Sequence, residues 1–275
     1  MKTMSSRLFA ICALFLLLTQ LSPAQCAPDS VRSGNTCIDK YESSIWEISP
    51  RCTTLIALIR QGKAKLADLH ACGAIQHGVS GFDYGAACPE TGAHCKNFYA
   101  VSLPGLTPSQ YLNWFQAAAS CRNSWKRLPT NGEWEVAALG TPDPGIDDGV
   151  NQCNTETTGA VALTGSRKQC RSDVGALDMV GNVVEFVGDW GHASTCGSWA
   201  SWSPSHGDDS SRMGADGVGA ASVLPAATLR GGGFAPSSAG SGTGAGVFAI
   251  DQNGIVASLG GSTGGAGLRC AIEAK

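Results

Sequence analysis

Apolar and polar positions divide this chain into three stretches with different rhythms. The first is an unbroken apolar run at 8–18, preceded by Lys2 and Arg7 and followed by Ser22-Pro23-Ala24. A basic start, a short apolar centre and a small-residue end describe a secretory signal peptide over 1–24, cleaved after Ala24. The run is shorter than the about 20 residues a membrane helix needs, and no later stretch approaches that length, so no transmembrane helix is expected. The second rhythm is helical. Thr107-Pro108-Ser109-Gln110 offers a Thr cap with Gln three residues on and Pro at the first helical position, and Tyr111, Trp114, Phe115 and Ala118 then recur at helical spacing. Thr130-x-x-Glu133 opens a shorter helix with Trp134, Ala137 and Ala138 on its apolar face, ended by Gly140 and Pro142. In the third stretch Gly, Asp, Ser and Asn punctuate short apolar runs at 183–187, 247–250 and 255–259, which predict short strands among loops.

Composition narrows this picture. With 43% hydrophobic and 15% charged residues the chain can bury a core, and 36 glycines favour turns over long helices. No heptad, linker or 20–50-residue repeat interrupts 25–275, which reads as one domain with a cysteine-bearing insertion at about 47–106. A net charge of −3 without blocks of like charge argues against nucleic-acid binding and polybasic membrane attachment. Eleven of the 12 cysteines follow the leader, and in an exported chain they read as disulfides. No Cys-x-x-Cys pair suggests zinc. Eleven is odd, and Cys26, near the start, is the thiol expected to be left over.

Candidate chemistry is sparse. Gly260-Gly261-Ser262-Thr263-Gly264 matches a nucleophile elbow, but neither Asp nor His follows Ser262, so the acid and base of that fold have no place. The glycine clusters fit no phosphate-binding loop, and the five histidines show no ligand spacing. The stretch from Asp178 to Glu185 is richer: two carboxylates seven residues apart bracket Gly181-Asn182, a turn whose carbonyls could join them around a hard cation.

Several motifs together resemble the formylglycine-generating-enzyme, or sulfatase-modifying-factor, family. They are Cys37-Ile38-Asp39-Lys40-Tyr41-Glu42, Lys126-Arg127-Leu128-Pro129-Thr130-Asn131-Gly132-Glu133-Trp134-Glu135, Asp178-Met179-Val180-Gly181-Asn182-Val183-Val184-Glu185-Phe186, Leu229-Arg230-Gly231-Gly232 and Gly267-Leu268-Arg269-Cys270. The resemblance covers about 35–46 and 107–272. It implies an α+β, loop-rich, disulfide-braced C-type lectin fold with little regular secondary structure. It further implies a disulfide between Cys121 and Cys270, and a structural calcium ion held by the Asp178 and Glu185 side chains with the Gly181 and Val183 carbonyls. The family's first calcium site matches only at Asn154 and the Thr155 carbonyl, the Asp178–Glu185 set being its second. Active family oxidases carry a copper-binding cysteine pair between the Arg-Gly-Gly and Gly-Phe-Arg-Cys strands. Between Gly233 and Leu268 this chain has no Cys, His or Met, so neither copper nor catalysis by that route is expected.

The same window resembles the variable proteins diversified by retroelements, whose terminal repeat follows Arg-Gly-Gly, contains a block like Ala245-Gly246-Val247-Phe248-Ala249-Ile250 and ends in Gly-Phe-Arg-Cys-Ala. That likeness implies a binding surface over 233–266, made of Phe234, Ser237, Ser238, Ser241, Thr243, Phe248, Asp251, Gln252, Asn253, Ser258, Ser262 and Thr263. The sequence thus predicts an exported, non-catalytic ligand-binding protein, periplasmic, cell-surface or secreted. Its partner would be an extracellular or envelope ligand, a protein or surface glycan. The alternative is an oxidoreductase of the same family with a displaced site.

Overall fold

The computed structural model describes residues 25–192, 200–201, 209–213, 225–234, 242–252 and 266–275, and three sheets organise them. Gly34, with φ +59°, sits in the tight turn between strands β1 (Ser30–Ser33) and β2 (Thr36–Asp39), which form an antiparallel hairpin. The last strand, β12 (Ala271–Glu273), pairs with the free side of β2, placing Ala271 opposite Ile38. The first and last strands of the described chain therefore flank β2 on opposite sides.

The second sheet has β3 (Ser44–Glu47) between β4 (Ile75–His77) and β5 (Phe98–Val101). Helices α1 (Thr53–Arg60) and α2 (Leu66–Ala71) belong with it. Leu55, Ile56, Ile59 and Leu69 pack on Trp46, Tyr99 and Val101 in one buried cluster, and a disulfide joins Cys52 to Cys72. The 47–106 stretch, which the motifs left unexplained, thus supplies two of this sheet's three strands and a core of its own.

The third sheet runs β11 (Gly267–Leu268), β6 (Glu185–His192), β9 (Pro225–Arg230), β10 (Ile250–Gln252), β8 (Ser210–Met213), β7 (Ala200–Ser201). The β11–β6 and β10–β8 pairs are parallel and the others antiparallel, with a register shift between Phe186 and Trp190 where β6 meets β9. The strands expected at 183–187 and 247–250 begin two and three residues later, and 255–259 lies outside the described residues.

The two expected helices fare differently. α4 (Asn131–Ala138) opens on the Thr130/Glu133 capping box and buries Trp134, Ala137 and Ala138. α3 (Trp114–Asn123) starts seven residues after the expected Thr107 cap. Asn113 caps it instead, exchanging bonds with Gln116 at 3.1 and 3.0 Å. The segment before it is stitched to the second sheet: the Ser109 amide donates to Ser43, its hydroxyl donates to the His77 carbonyl, and the Gln110 amide donates to Gly78. Sheet attachment wins over local helix signals there.

Five disulfides brace the described chain: Cys26–Cys37, Cys52–Cys72, Cys88–Cys95, Cys121–Cys270 and Cys153–Cys170. Cys26 is therefore not the unpaired thiol. β2 brings Cys37 within a Cα distance of 5.4 Å, inside the range a disulfide needs. Cys196 lies outside the described residues.

Candidate functional site

The Gly181-Asn182 turn lies where several buried charges meet. Asp178 and Asn182 adopt φ of +60° and +56°, a left-handed backbone that Asp and Asn tolerate better than other side-chain-bearing residues. Between them Gly181, at φ +71°, passes so close to Asn154 that a Cβ would lie 2.4 Å from its carbonyl oxygen, so only glycine fits. The turn carries Asn182 inward, where its Oδ1 accepts from the Asn154 side chain at 2.9 Å and from the Ala162 amide at 2.7 Å.

Arg269, fully buried, is the cation at the centre. Its Nε donates to both Glu185 oxygens at 3.1 Å, and its terminal nitrogens donate to the Asp39 and Leu177 carbonyls at 2.7 Å. Trp134 Nε1 donates to Glu185 Oε2 at 2.7 Å. Glu42 accepts from the Val183 amide at 3.0 Å and from the Asn182 side chain at 2.5 Å, while Asp178 Oδ2 accepts from the Gly165 amide at 2.6 Å. Burial, with the neighbouring Asp178 and Glu185 charges, pushes the Glu42 carboxyl well above its usual range. Burial likewise raises Asp178, to about 6. Burial opposes the Arg269 charge, but Glu185, Glu42 and Asp178 together outweigh it and the guanidinium holds its proton more tightly than usual. Next to this cluster, Lys126 bridges Asp29 and Asp39 at 2.5 Å each.

For the predicted calcium set, Glu185 has both oxygens engaged by Arg269 and Trp134, and Asp178 has one on Gly165. Among the described residues no three His, Cys, Asp or Glu side chains are arranged around a metal position. As placed, the donors are charge-compensated by arginine, and a divalent ion would share Glu185 with it.

The second part is the terminal segment. Arg230 ends β9 almost fully buried and ion-paired with Glu135, its guanidinium 5.2 Å from the Trp134 ring centre. From there it donates to the Val247, Phe248 and Ala249 carbonyls at 3.1–3.3 Å, so one side chain fixes the backbone of a whole turn. Burial lowers its pKa to about 10. Gly231, at φ +84°, would place a Cβ 2.7 Å from the Met179 carbonyl, which explains a glycine directly after this arginine. The Phe248 amide donates to Asp209, Gln252 donates to Thr228, and the Gly242 amide donates to the Thr155 carbonyl. Phe234 donates its amide to Asn182, linking the segment's entry to the carboxylate turn.

Of the predicted binding residues, Thr243 is exposed and Phe234, Phe248 and Gln252 are half-buried. Asp251 is 6% exposed on β10, whose flanking Ile250 and Gln252 are half-buried. Ser237, Ser238, Ser241, Asn253, Ser258, Ser262 and Thr263 lie outside the described residues. Sequence reasoning gave no role to Glu42, Trp134 or Arg269 at this centre. Glu42 is 140 positions from Asn182, so no local spacing could have joined them.

Residues 84–273 match the Sulfatase-modifying factor enzyme 1-like domain. The chain belongs to this family. The family domain contains α3, α4, the Asp178–Glu185 turn, Arg230 and Arg269, whereas β1–β4, α1 and α2 lie before its first matched residue. The scaffold is a C-type-lectin-like, disulfide-braced member of that family. Similar solved structures include the I1 and U1 variants of Major Tropism Determinant, each 17% identical over 91% of this chain and 54% of theirs, with TM-scores of 0.46 and 0.45. This chain thus spans about half the length of those proteins. CarF is 14% identical over 87% of both chains, with a TM-score of 0.39. No curated protein sequence matches the chain. Among the described residues, no helix of the sulfatase-modifying-factor domain or of the preceding segment is long and apolar enough to cross a membrane.

Proposed function

We propose that this sulfatase-modifying-factor domain is an exported, non-catalytic binding module that presents residues of 233–266 to an extracellular or envelope ligand. The carrying observation is that both ends of the segment rest on buried arginines, Arg230 and Arg269, while Thr243 between them is exposed. A rigid frame beneath an accessible, compositionally permissive segment is what a tolerant binding surface needs. The chemistry supports the same reading. All ten described cysteines are committed to disulfides, and the segment holds no soft ligand for copper.

Two measurements test this. Sequencing the gene across many cells of one culture should find variation concentrated in codons 233–266, with 126–138 constant; an invariant window removes the diversified-receptor reading. Aerobic incubation with copper and a sulfatase-motif peptide should leave the peptide thiol intact. Appearance of the aldehyde mass would restore the oxidoreductase alternative.

Calcium belongs to this proposal as a stabilising ion at Asp178, Gly181, Val183 and Glu185. Millimolar calcium should raise the unfolding temperature of the wild-type protein and not of Asp178→Ala. An equal response in both proteins removes the ion from the reading.

A further inference from the structure

A cavity of about 420 Å³ lies between α3, the 126–130 segment and β6, and among the described residues none of 233–266 lines it. Trp114, Ala118 and Arg122 recur every four residues along α3 and line one wall, with Leu128 and Gly188 opposite. Trp114 is held in place: its Nε1 donates to the Val187 carbonyl at 2.9 Å, and its ring meets Trp190 edge to face at 5.2 Å. Gly188 ties β6 to the 126–130 segment, donating its amide to the Pro129 carbonyl at 2.7 Å.

The charges around the cavity are unevenly committed. Lys126 is bound by Asp29 and Asp39, Arg127 by both oxygens of Glu133, and Asp189 accepts from the Asn131 amide at the start of α4. Arg122 is exposed at the rim, and its guanidinium has no partner among the described residues. A largely apolar pocket of this size with one unpaired guanidinium has the form of a small-ligand site. A planar guanidinium selects a carboxylate or sulfonate, which it can bind through two parallel hydrogen bonds.

We propose that this cavity binds a small organic anion with an apolar body, Trp114 and Leu128 packing the body and Arg122 pairing with the acid group. The residues that carry this site lie outside 233–266, so either reading can fail while the other stands.

The test uses the full chain and the fluorescent probe 8-anilinonaphthalene-1-sulfonate. Titration should show one saturable site, displaced by phenylacetate or decanoate and about tenfold less well by phenylacetamide, which lacks the charge. Phenylacetate against decanoate separates an aromatic from a fatty-acid ligand. Arg122→Ala should weaken probe binding about tenfold, with Arg122→Lys in between. Ala118→Phe should fill the cavity and abolish binding, its near-ultraviolet circular dichroism confirming the fold. Arg122→Ala on the exposed rim keeps the idea testable if Ala118→Phe misfolds. Probe binding unchanged in Arg122→Ala, or absent from the folded wild-type protein, overturns the proposal.

Discussion

Two acidic clusters in this molecule solve opposite problems. Around Arg269, Glu42 and Asp178 are buried carboxyls pushed upward in pKa, and three acids share the influence of one guanidinium. In the 143–157 loop, Asp147 is also shielded, yet its carboxyl falls to about 2. Burial pushes it up there too, but the amides of Glu156, Thr157, Gly149 and Thr155 outweigh burial, at 2.6–3.0 Å. Asp148 repeats the device with the amides of Val150, Asn151 and Gln152. A ring of backbone donors costs nothing in side-chain order and fixes a loop locally. A shared guanidinium joins segments far apart in the chain, alongside the amide, indole and side-chain donors that the acids also have.

The largest effect should come from removing that guanidinium. Arg269→Met leaves Glu185 buried without its counter-charge, and urea unfolding should show a loss of about 3 to 5 kcal/mol. A loss below about 1 kcal/mol would mean that the acids find other donors and that the arginine is not central. Next is Asp147→Ala, which strips several amides of one acceptor. A loss of about 1 to 3 kcal/mol is expected, with hydrogen exchange speeding up at Thr155, Glu156 and Thr157 and unchanged at Trp134. Uniform acceleration across both clusters would erase the distinction between local and long-range acids. The smallest effect is on pH dependence. Because the folded Asp147 carboxyl titrates below its ordinary value of 3.8, its stabilisation is complete above that pH and is lost as pH falls through about 2. Asp147→Asn should flatten the acid limb of the stability curve over that interval, and an unaltered limb would assign it to other carboxylates such as Glu133, which Arg127 lowers to about 2.

This contrast also explains what could be read from the sequence. The Thr130–Glu133 box that starts α4 is local, and the structure contains it unchanged. The Thr107 signal is equally local, but Ser109 and Gln110 are taken up by Ser43, His77 and Gly78. No spacing rule anticipates such partners. The Asp178–Glu185 turn stood out because its acids and glycine lie close together in the chain. Arg269 and Glu42, which complete the cluster, are far from it in sequence, and only topology unites them. Asp251 stood among the polar residues of the segment, yet it is the buried position of β10 between half-buried Ile250 and Gln252. Cys26 looked spare by position alone, and the β1–β2 hairpin gives it a partner.

The pieces that lock the frame come after the segment proposed to vary. β11, Arg269, Cys270 and β12 all follow residue 266, and they respectively complete the third sheet, compensate Glu185, close the disulfide to Cys121 and join β2. A coding change that altered the reading frame between 233 and 266 would deliver none of them. Only products translated in frame through 233–266 would carry these closing pieces, so folding itself would act as a proofreading step on that part of the gene.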